Sequence, residues 1–505
     1  MKLSAGAWAA ILTGMLAFAH FTIITLTIHL NHDVSWILYG AGRMLNGAVF
    51  GRDIVDVNPP LVWWLSLPAA LVAQNSGLTP SLAFKLQVLL LVFACIWLIH
   101  VLRPAIRAWQ LALLLAILLI TPAYHFGQRE HLMAILTLPY VISLLSGKND
   151  EGAAAARLAA GIMAGIGFAL KPYFLVIPLL LEAYRLVKTR SPSSLIRMET
   201  LSIAAVGLAY AAAVWLWARD YVLTVAPQAM IVYPAYGNPF FSAARTIIFS
   251  LGLVFLGCFL INGTRDWKRQ PLPPLILAAV GAALAAMLQS KGWAYHRLPI
   301  TLFGLSCLAV ALPGRNVAPA RIAALLLGGV LLSENTCKYV PDMRSANGQE
   351  ALINHLTALM RSMPQPGRVA AFNTSPRIIH SAVLAAGAEW IAPACCLYAL
   401  PAAIRFRTPE TKRIARNQLD ALLARWKQEP PELVLVDISR YKLGFAHLAF
   451  SYLDYLKRDP RFAQALAPYR EKERLAGYLV LQRRRHSPAE NQPVEKQEIQ
   501  RRNHQ

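Results

Sequence analysis

Asn31-His32-Asp33-Val34 and, further on, Asp56-Val57-Asn58-Pro59-Pro60-Leu61-Val62-Trp63-Trp64 bound the stretch whose reading decides this chain. The first ends a long apolar run, and the second enters another through a Pro-Pro. Between them runs a polar loop with three carboxylates, Asp33, Asp53 and Asp56. Acids at the edge of hydrocarbon are costly to hold, so they are functional candidates by default. Residues 1–335 contain eleven Asp or Glu, three of them in this loop, which keeps the set of candidate bases small.

The surroundings of that loop are lipid-soluble. Hydrophobic residues make up 56% of the chain and charged residues 15%, with a mean hydropathy of +0.44. Soluble domains carry about 25% charged residues, so the chain reads as an integral membrane protein. Apolar stretches that can cross hydrocarbon run over 7–29, 59–74, 83–101, 108–121, 132–147, 158–170, 173–187, 201–217, 243–261, 273–289, 298–312 and 321–335. Several are short, as suits helices that end in a polar cavity. The run from Met1-Lys2-Leu3 to Leu30 is too long for a signal-peptide core and reads as a retained anchor with Lys2 in the cytoplasm.

The formal charge of +23 is explained by Lys and Arg in short loops, the positive-inside pattern. It points to membrane lipids as partners and not to nucleic acid. Arg103/Arg107, 148–157, 185–197, 265–269 and Arg315/Arg321 form basic, motif-poor loops expected on the cytoplasmic side. The loops 32–58, 124–131, 171–173, 219–241 and 289–299 carry Pro, aromatics, His and isolated charges, and are expected together on the outer face. Parity then demands that 59–74 or 83–101 be partial or re-entrant, leaving about eleven crossings.

Beyond residue 340 the pattern changes. Arg368–Phe372, Glu432–Asp437 and Gly477–Leu481 read as strands, with helices near 349–362, 409–427 and 445–457, hence a small α/β layer. The expected domains are 1–340 in the membrane, 341–482 as an extracytoplasmic α/β domain, and 483–505 as a disordered tail. Cys95, Cys258 and Cys307 read as packing residues, whereas Cys337 is a candidate partner for Cys395 or Cys396 on an oxidising face.

In order along the first loop stand Asp33, Gly40-Ala41-Gly42-Arg43, Gly47, Gly51-Arg52-Asp53 and Asp56–Leu61. This resembles the GT-C membrane glycosyltransferases, in the branch of protein mannosyltransferases and aminoarabinose-transferase-like enzymes. The resemblance implies a polytopic α-helical GT-C-like fold and transfer of a sugar from a polyprenyl-phosphate donor, with inversion, on the outer face of the cytoplasmic membrane. It implies Asp33 as the general base toward a lipid, glycan or protein acceptor. Two departures stand out. His32 precedes the first acid where the family has an acidic pair, and the second-loop acid appears as Glu130 within Gly127-Gln128-Arg129-Glu130-His131.

The residues give their own reading of the same chemistry. A carboxylate within reach of an acceptor can take its proton; alternatively Asp33 caps a helix. Asp53, Asp56 and Asn58 are either site residues or turn formers. Arg129, Lys171, Lys291 and Arg297 are candidate cations for the departing phosphate, although Lys171 can instead snorkel to the interface. Tyr295 and His296 join Lys291 and Arg297 in a dense polar–aromatic cluster that also fits an interfacial belt. Tyr236 is placed to stack on a sugar or to stiffen a Pro-rich connector. A divalent cation such as Mg or Mn stays open, because Asp33, Asp53, Asp56 and Glu130 offer hard oxygens without a spacing that requires one. The competing readings are a polyprenyl-linked oligosaccharide polymerase or ligase, and a lipid-linked sugar transporter; the latter expects repeated halves, which are not evident.

Overall fold

The computed structural model describes residues 5–145, 154–238, 240–262, 272–311 and 348–484. In chain order the first helices are α1 (Ala5–His20), α2 (His32–Leu45), α3 (Leu61–Ser76), α4 (Pro80–Leu102), α5 (Ala108–Ile120), α6 (Arg129–Ser143) and α7 (Ala154–Ala169). There follow α8 (Val176–Thr189), α9 (Met198–Trp217), α10 (Ala226–Val232), α11 (Phe240–Asn262), α12 (Pro273–Gln289) and α13 (Leu298–Ala311). Each expected apolar stretch overlaps one of these helices except 321–335, which lies outside the described residues; 7–29 runs past the end of α1 at His20 into a separate turn at Phe21–Thr25. Pro80–Leu102, Met198–Trp217 and the run Ala294–Ala311 are long and apolar enough to cross a membrane.

α6 is the axis of the bundle. Every residue from Arg129 to Ile142 is buried, and α4, α7, α12 and α13 pack around it. α9 lies at the other extreme, with Leu201, Leu208, Trp215, Leu216 and Trp217 exposed, as a lipid-facing helix should be. α7 meets α9 through Gly161 and Gly165, a small-xxx-small face of the kind that lets membrane helices approach closely. A Cβ on Gly161 would lie 2.8 Å from Glu199 Cα, and one on Gly165 2.8 Å from Val206 Cβ.

The motif-bearing loops gather at one end of the bundle. Gln128 Nε2 donates to Asp33 (3.4 Å), Tyr221 Oη to Val57 O (3.3 Å), Lys171 Nζ to Gln289 Oε1 (3.2 Å) and Asn238 Nδ2 to Lys291 O (2.6 Å). The parity problem is also resolved. α3 starts in this end group at Leu61, whose N–H reaches Tyr210 Oη at 3.4 Å, and near its far end Gln74 donates to Gly42 O of α2 at 3.4 Å. α4 begins at the same end, since Lys85 donates to Leu26 O at 3.2 Å, and finishes against α7, where Leu98 and Leu102 meet Ala156 and Ala160. α3 therefore runs beside α2 and is the partial segment, while α4 is the crossing.

Residues 348–484 build a five-stranded sheet, β1 (Arg368–Phe372), β2 (Glu389–Trp390), β3 (Leu433–Asp437), β4 (Tyr469–Leu475) and β5 (Tyr478–Arg483), in the order β2-β1-β3-β5-β4. β2, β1 and β3 are parallel, and β5 and β4 add as an antiparallel hairpin. The turn at Ala476-Gly477 has φ of +48° and +83°, the backbone that tight hairpins favour. Two sequence expectations are corrected here. The helix expected over 445–457 shortens to Tyr452–Leu456, because Gly444, Ala446 and His447 adopt positive φ and break it. The tail does not begin at 483: Arg483 closes β5, and Arg484 N–H bonds Pro468 O at 2.9 Å.

This layer sits on the loop end of the bundle. Val55 N–H bonds Pro393 O (2.8 Å), Trp390 N–H bonds Tyr39 Oη (2.8 Å), Ser381 Oγ donates to Leu30 O (2.8 Å), and His29 pairs with Glu350 (2.7 Å). The α7–α9 contact generates a test. Gly161→Val should lower stability by about 1–3 kcal/mol through overpacking, read as a lower thermal midpoint in detergent. Gly207→Val on α9, where a Cβ meets nothing within 4 Å, should change it little.

Candidate active site

Asn31, and not Asp33, caps α2: its side-chain oxygen accepts Asp33 N–H at 2.9 Å. Asp33 is thereby left as a first-turn acid, a position the helix dipole favours, with its carboxylate free to face a cavity of about 360 Å³. The membrane half of the wall includes Asp33, Trp36, Asp56, Asn58, Arg129 and Tyr295, with Tyr233, Tyr236 and Trp293 beside them. The α/β layer closes the other half with Thr374–Arg377, Cys395, Cys396, Tyr398 and Leu443.

The two loop acids in this wall have different surroundings. Burial pushes the Asp33 carboxyl up, but His32, Arg129, the Gln128 hydrogen bond and Lys171 outweigh it, and Asp33 lies below the usual carboxylate range. Asp33 is therefore ionised at neutral pH. Burial wins at Asp56 and raises it, against hydrogen bonds from Asn58 and Trp36. Asp56 Oδ2 accepts Trp36 Nε1–H at 2.9 Å, and Oδ1 accepts Asn58 N–H and Nδ2 at 2.7 and 2.6 Å. Both oxygens are occupied, so Asp56 and Asn58 brace the approach to Pro59-Pro60. Asp53 does not reach the cavity. It accepts Val49 N–H at 3.0 Å and Arg52 at 3.1 Å within its own turn.

The cations separate in the same way. Arg129, at the first position of α6, is 3% exposed, lines the cavity, and its Nε and Nη1 have no hydrogen-bond partner among the described residues. A buried guanidinium in that condition calls for an anion. Lys171 neither snorkels nor enters the cavity wall; it is held by Glu130 at 2.5 Å behind it. Glu130 is thus the counter-ion of Lys171, with His296 at 4.0 Å, and not a member of the wall. Lys291 stands 3.0 Å from the Tyr233 ring centroid and 4.9 Å from that of Trp293, behind two aromatic wall residues. Tyr236 ties the bundle to the roof by donating to Tyr398 O at 3.1 Å. Arg297 lies outside the wall.

The α/β layer supplies residues that sequence reasoning missed. Thr374, Ser375 and Arg377 follow β1 and open the helix Arg377–Ala386, at the carboxyl end of a parallel strand where open α/β sheets bind ligands. The strand itself was legible, but nothing in the sequence placed it over a loop some 340 positions earlier. Gln128 and Trp36 were passed over for want of charge. Among the described residues Cys395 and Cys396 form no disulfide, their sulfurs lying 3.4 Å apart; Cys337, the expected partner, lies outside the described residues. Among the described residues no three His, Cys, Asp or Glu side chains converge as a metal cage would require.

The whole architecture is similar to that of ArnT from Cupriavidus metallidurans in the apo state, with a TM-score of 0.56, 13% identity, and coverage of 95% of this chain and 98% of that one. At this identity the likeness is one of fold, and it is the GT-C-like fold expected from the first loop. No family profile and no curated protein matches the chain by sequence.

Lys291 provides a pH test. Burial, with repulsion from Lys171 and Arg129, pulls its ammonium down to about 6, against about 10.4 in an unfolded chain. Between these values the unfolded state holds a proton that the folded state lacks, so stability rises with pH. Lys291→Met should therefore be more stable than the parent protein near pH 6, with the difference in thermal midpoint shrinking toward pH 9.

Proposed function

We propose that the chain is a membrane glycosyltransferase that moves a hexosyl or pentosyl group from a polyprenyl-phosphate donor to a lipid, glycan or protein acceptor on the outer face of the cytoplasmic membrane. The observation that carries this reading is the buried Arg129 guanidinium, whose Nε and Nη1 have no partner among the described residues, in the same cavity wall as the ionised Asp33 carboxylate. Arg129 brings its positive charge to the cavity wall, and a guanidinium suits paired contact with phosphate oxygens. Arg377 borders the same space from the α/β layer. Aromatic walls from Tyr233, Tyr236, Trp293 and Tyr295 give the sugar ring apolar faces to lie on.

In this reading the acceptor hydroxyl or amine attacks the anomeric carbon from the side opposite the phosphate. Its proton passes to Asp33 as the new bond forms. The bond from the anomeric carbon to the phosphate oxygen breaks, and the electron pair leaves on polyprenyl phosphate, whose charge Arg129 holds. A single displacement inverts the anomeric centre. The resemblance of the first loop and the ArnT-like fold both favour this chemistry over a transporter, which needs no base.

Asp33→Asn should lower transfer by about 10²–10⁴-fold, the range for loss of a general base, with donor binding retained. Arg129→Gln should instead raise the donor concentration needed for half-maximal rate. The first is read by complementing a strain that lacks the protein and following, by mass, the surface lipid or glycan that loses its sugar, and the second by transfer rate against donor concentration in membranes from that strain. Near-normal transfer by the Asp33→Asn protein would remove Asp33 as the base.

A further inference from the structure

The surface of the α/β layer is unevenly divided between charge and hydrocarbon. Its edge strand β4 presents Arg470, Glu471, Lys472 and Arg474 to solvent. Among the described residues of the layer, the large apolar side chains that stay exposed are Phe406, Ile438, Tyr441, Leu443 and Leu448. Four of these fall on the turn that follows β3, and Phe406 follows the helix Leu400–Arg405. Apolar side chains exposed singly need no explanation, whereas a contiguous group marks an interaction surface.

Contacts join the two segments into one patch. Arg405 donates to Gly444 O at 3.2 Å and also to Ala235 O. Ile404 and Ile438 line the same recess. A Cβ on Gly444 would lie 2.9 Å from Pro401 Cγ and 3.0 Å from Tyr236 Cε1. Phe445 is buried and stacks on Phe450 with ring centroids 4.5 Å apart, which pins the turn from beneath. Beyond it Ala446 and His447 adopt positive φ, and every residue from Ala446 to Ala449 is exposed.

The height of the patch is set by what it rests on. Tyr236 stands four residues before α11 begins at Phe240, at most about 14 Å of extended chain. α11 in turn exposes Ile248 and Phe249 as a lipid-facing helix does. The patch therefore sits beside the point where the bundle enters lipid. Its composition suits that level: Arg405 lies over the Phe406 ring at 5.6 Å and Arg440 over the Tyr441 ring at 5.3 Å. Tyrosine sits at the headgroup level of membranes, and arginine lays its stem on apolar surface while its head stays wet. The stretch from Ile438 to Ala449 contains no acid.

We propose that this patch is a second membrane contact, with Tyr441, Leu443 and Leu448 entering the headgroup–acyl boundary of the adjacent leaflet. The α/β layer is then seated on lipid as well as on the helices. Continuity with the lipid-facing surface of the bundle selects a bilayer over a soluble partner, and the affinity of such a contact grows with the apolar area it buries. Leu443 also lines the cavity, so the patch begins at the cavity's edge.

The test places a nitroxide label through Tyr441→Cys, Leu448→Cys or Lys472→Cys on the full-length protein in phosphatidylethanolamine–phosphatidylglycerol vesicles. The spectrum of the parent protein, treated alike, is subtracted to remove labelling of native cysteines. Oxygen concentrates in hydrocarbon and a nickel chelate stays in water, so the ratio of their collision rates with the label reads depth. That ratio should be severalfold higher at 441 and 448 than at 472. Either patch position carries the test if the other variant fails to fold. A water-like ratio, equal to that at 472, would overturn the proposal. Poor access of both reagents to 441 and 448 would overturn it in favour of a protein cover, such as a second copy of this chain.

Discussion

The site depends on how charge is divided at the head of α6. Arg129, Glu130 and Lys171 are all buried there, and Glu130 is committed to Lys171 at 2.5 Å. That pair is internally neutral, whereas Arg129 keeps two nitrogens without partners among the described residues. Burying a guanidinium in this state is costly, and the cost is offset when an anion arrives. Asp33, held back by Gln128 and Asn31, acts on Arg129 through its field without closing onto it as an ion pair. On the function proposed above, this arrangement is pre-organised to receive a phosphate beside the Asp33 carboxylate.

Positioning of Asp33 follows from short-range constraints. Asn31 supplies the cap, so Asp33 is not consumed in satisfying the helix end. Asp56 is consumed in this way: Trp36 and Asn58 take both of its oxygens and fix the chain entering Pro59-Pro60. Two carboxylates of the same loop thus divide into one that faces the cavity and one that braces the chain. α3, lying beside α2, holds this loop at the membrane boundary without sending it through.

Much of this was legible in the sequence. Apolar length marked the membrane helices, scarcity of acids pointed to Asp33, and short apolar runs marked β1, β3 and β5. The misses have physical causes. β4 reads Tyr-Arg-Glu-Lys-Glu-Arg-Leu because an edge strand facing water carries charge, which hides its alternation. β2 is two residues long and leaves no pattern. Lys171 and Arg129 look alike as isolated cations in apolar surroundings, and only the neighbour across 41 positions decides which one is neutralised. Arg377 and Tyr398 enter the wall through contacts between distant segments, and no local pattern records those.

The α/β layer is fastened to the bundle at separated points: Val55 to Pro393, Tyr39 to Trp390, Leu30 to Ser381, His29 to Glu350, and Tyr236 to Tyr398. A ceiling bolted down on several sides does not lift to admit cargo. Each fastening instead holds one half of the cavity wall at a set distance from the other, so Arg377 and Tyr398 keep station across from Asp33 and Arg129.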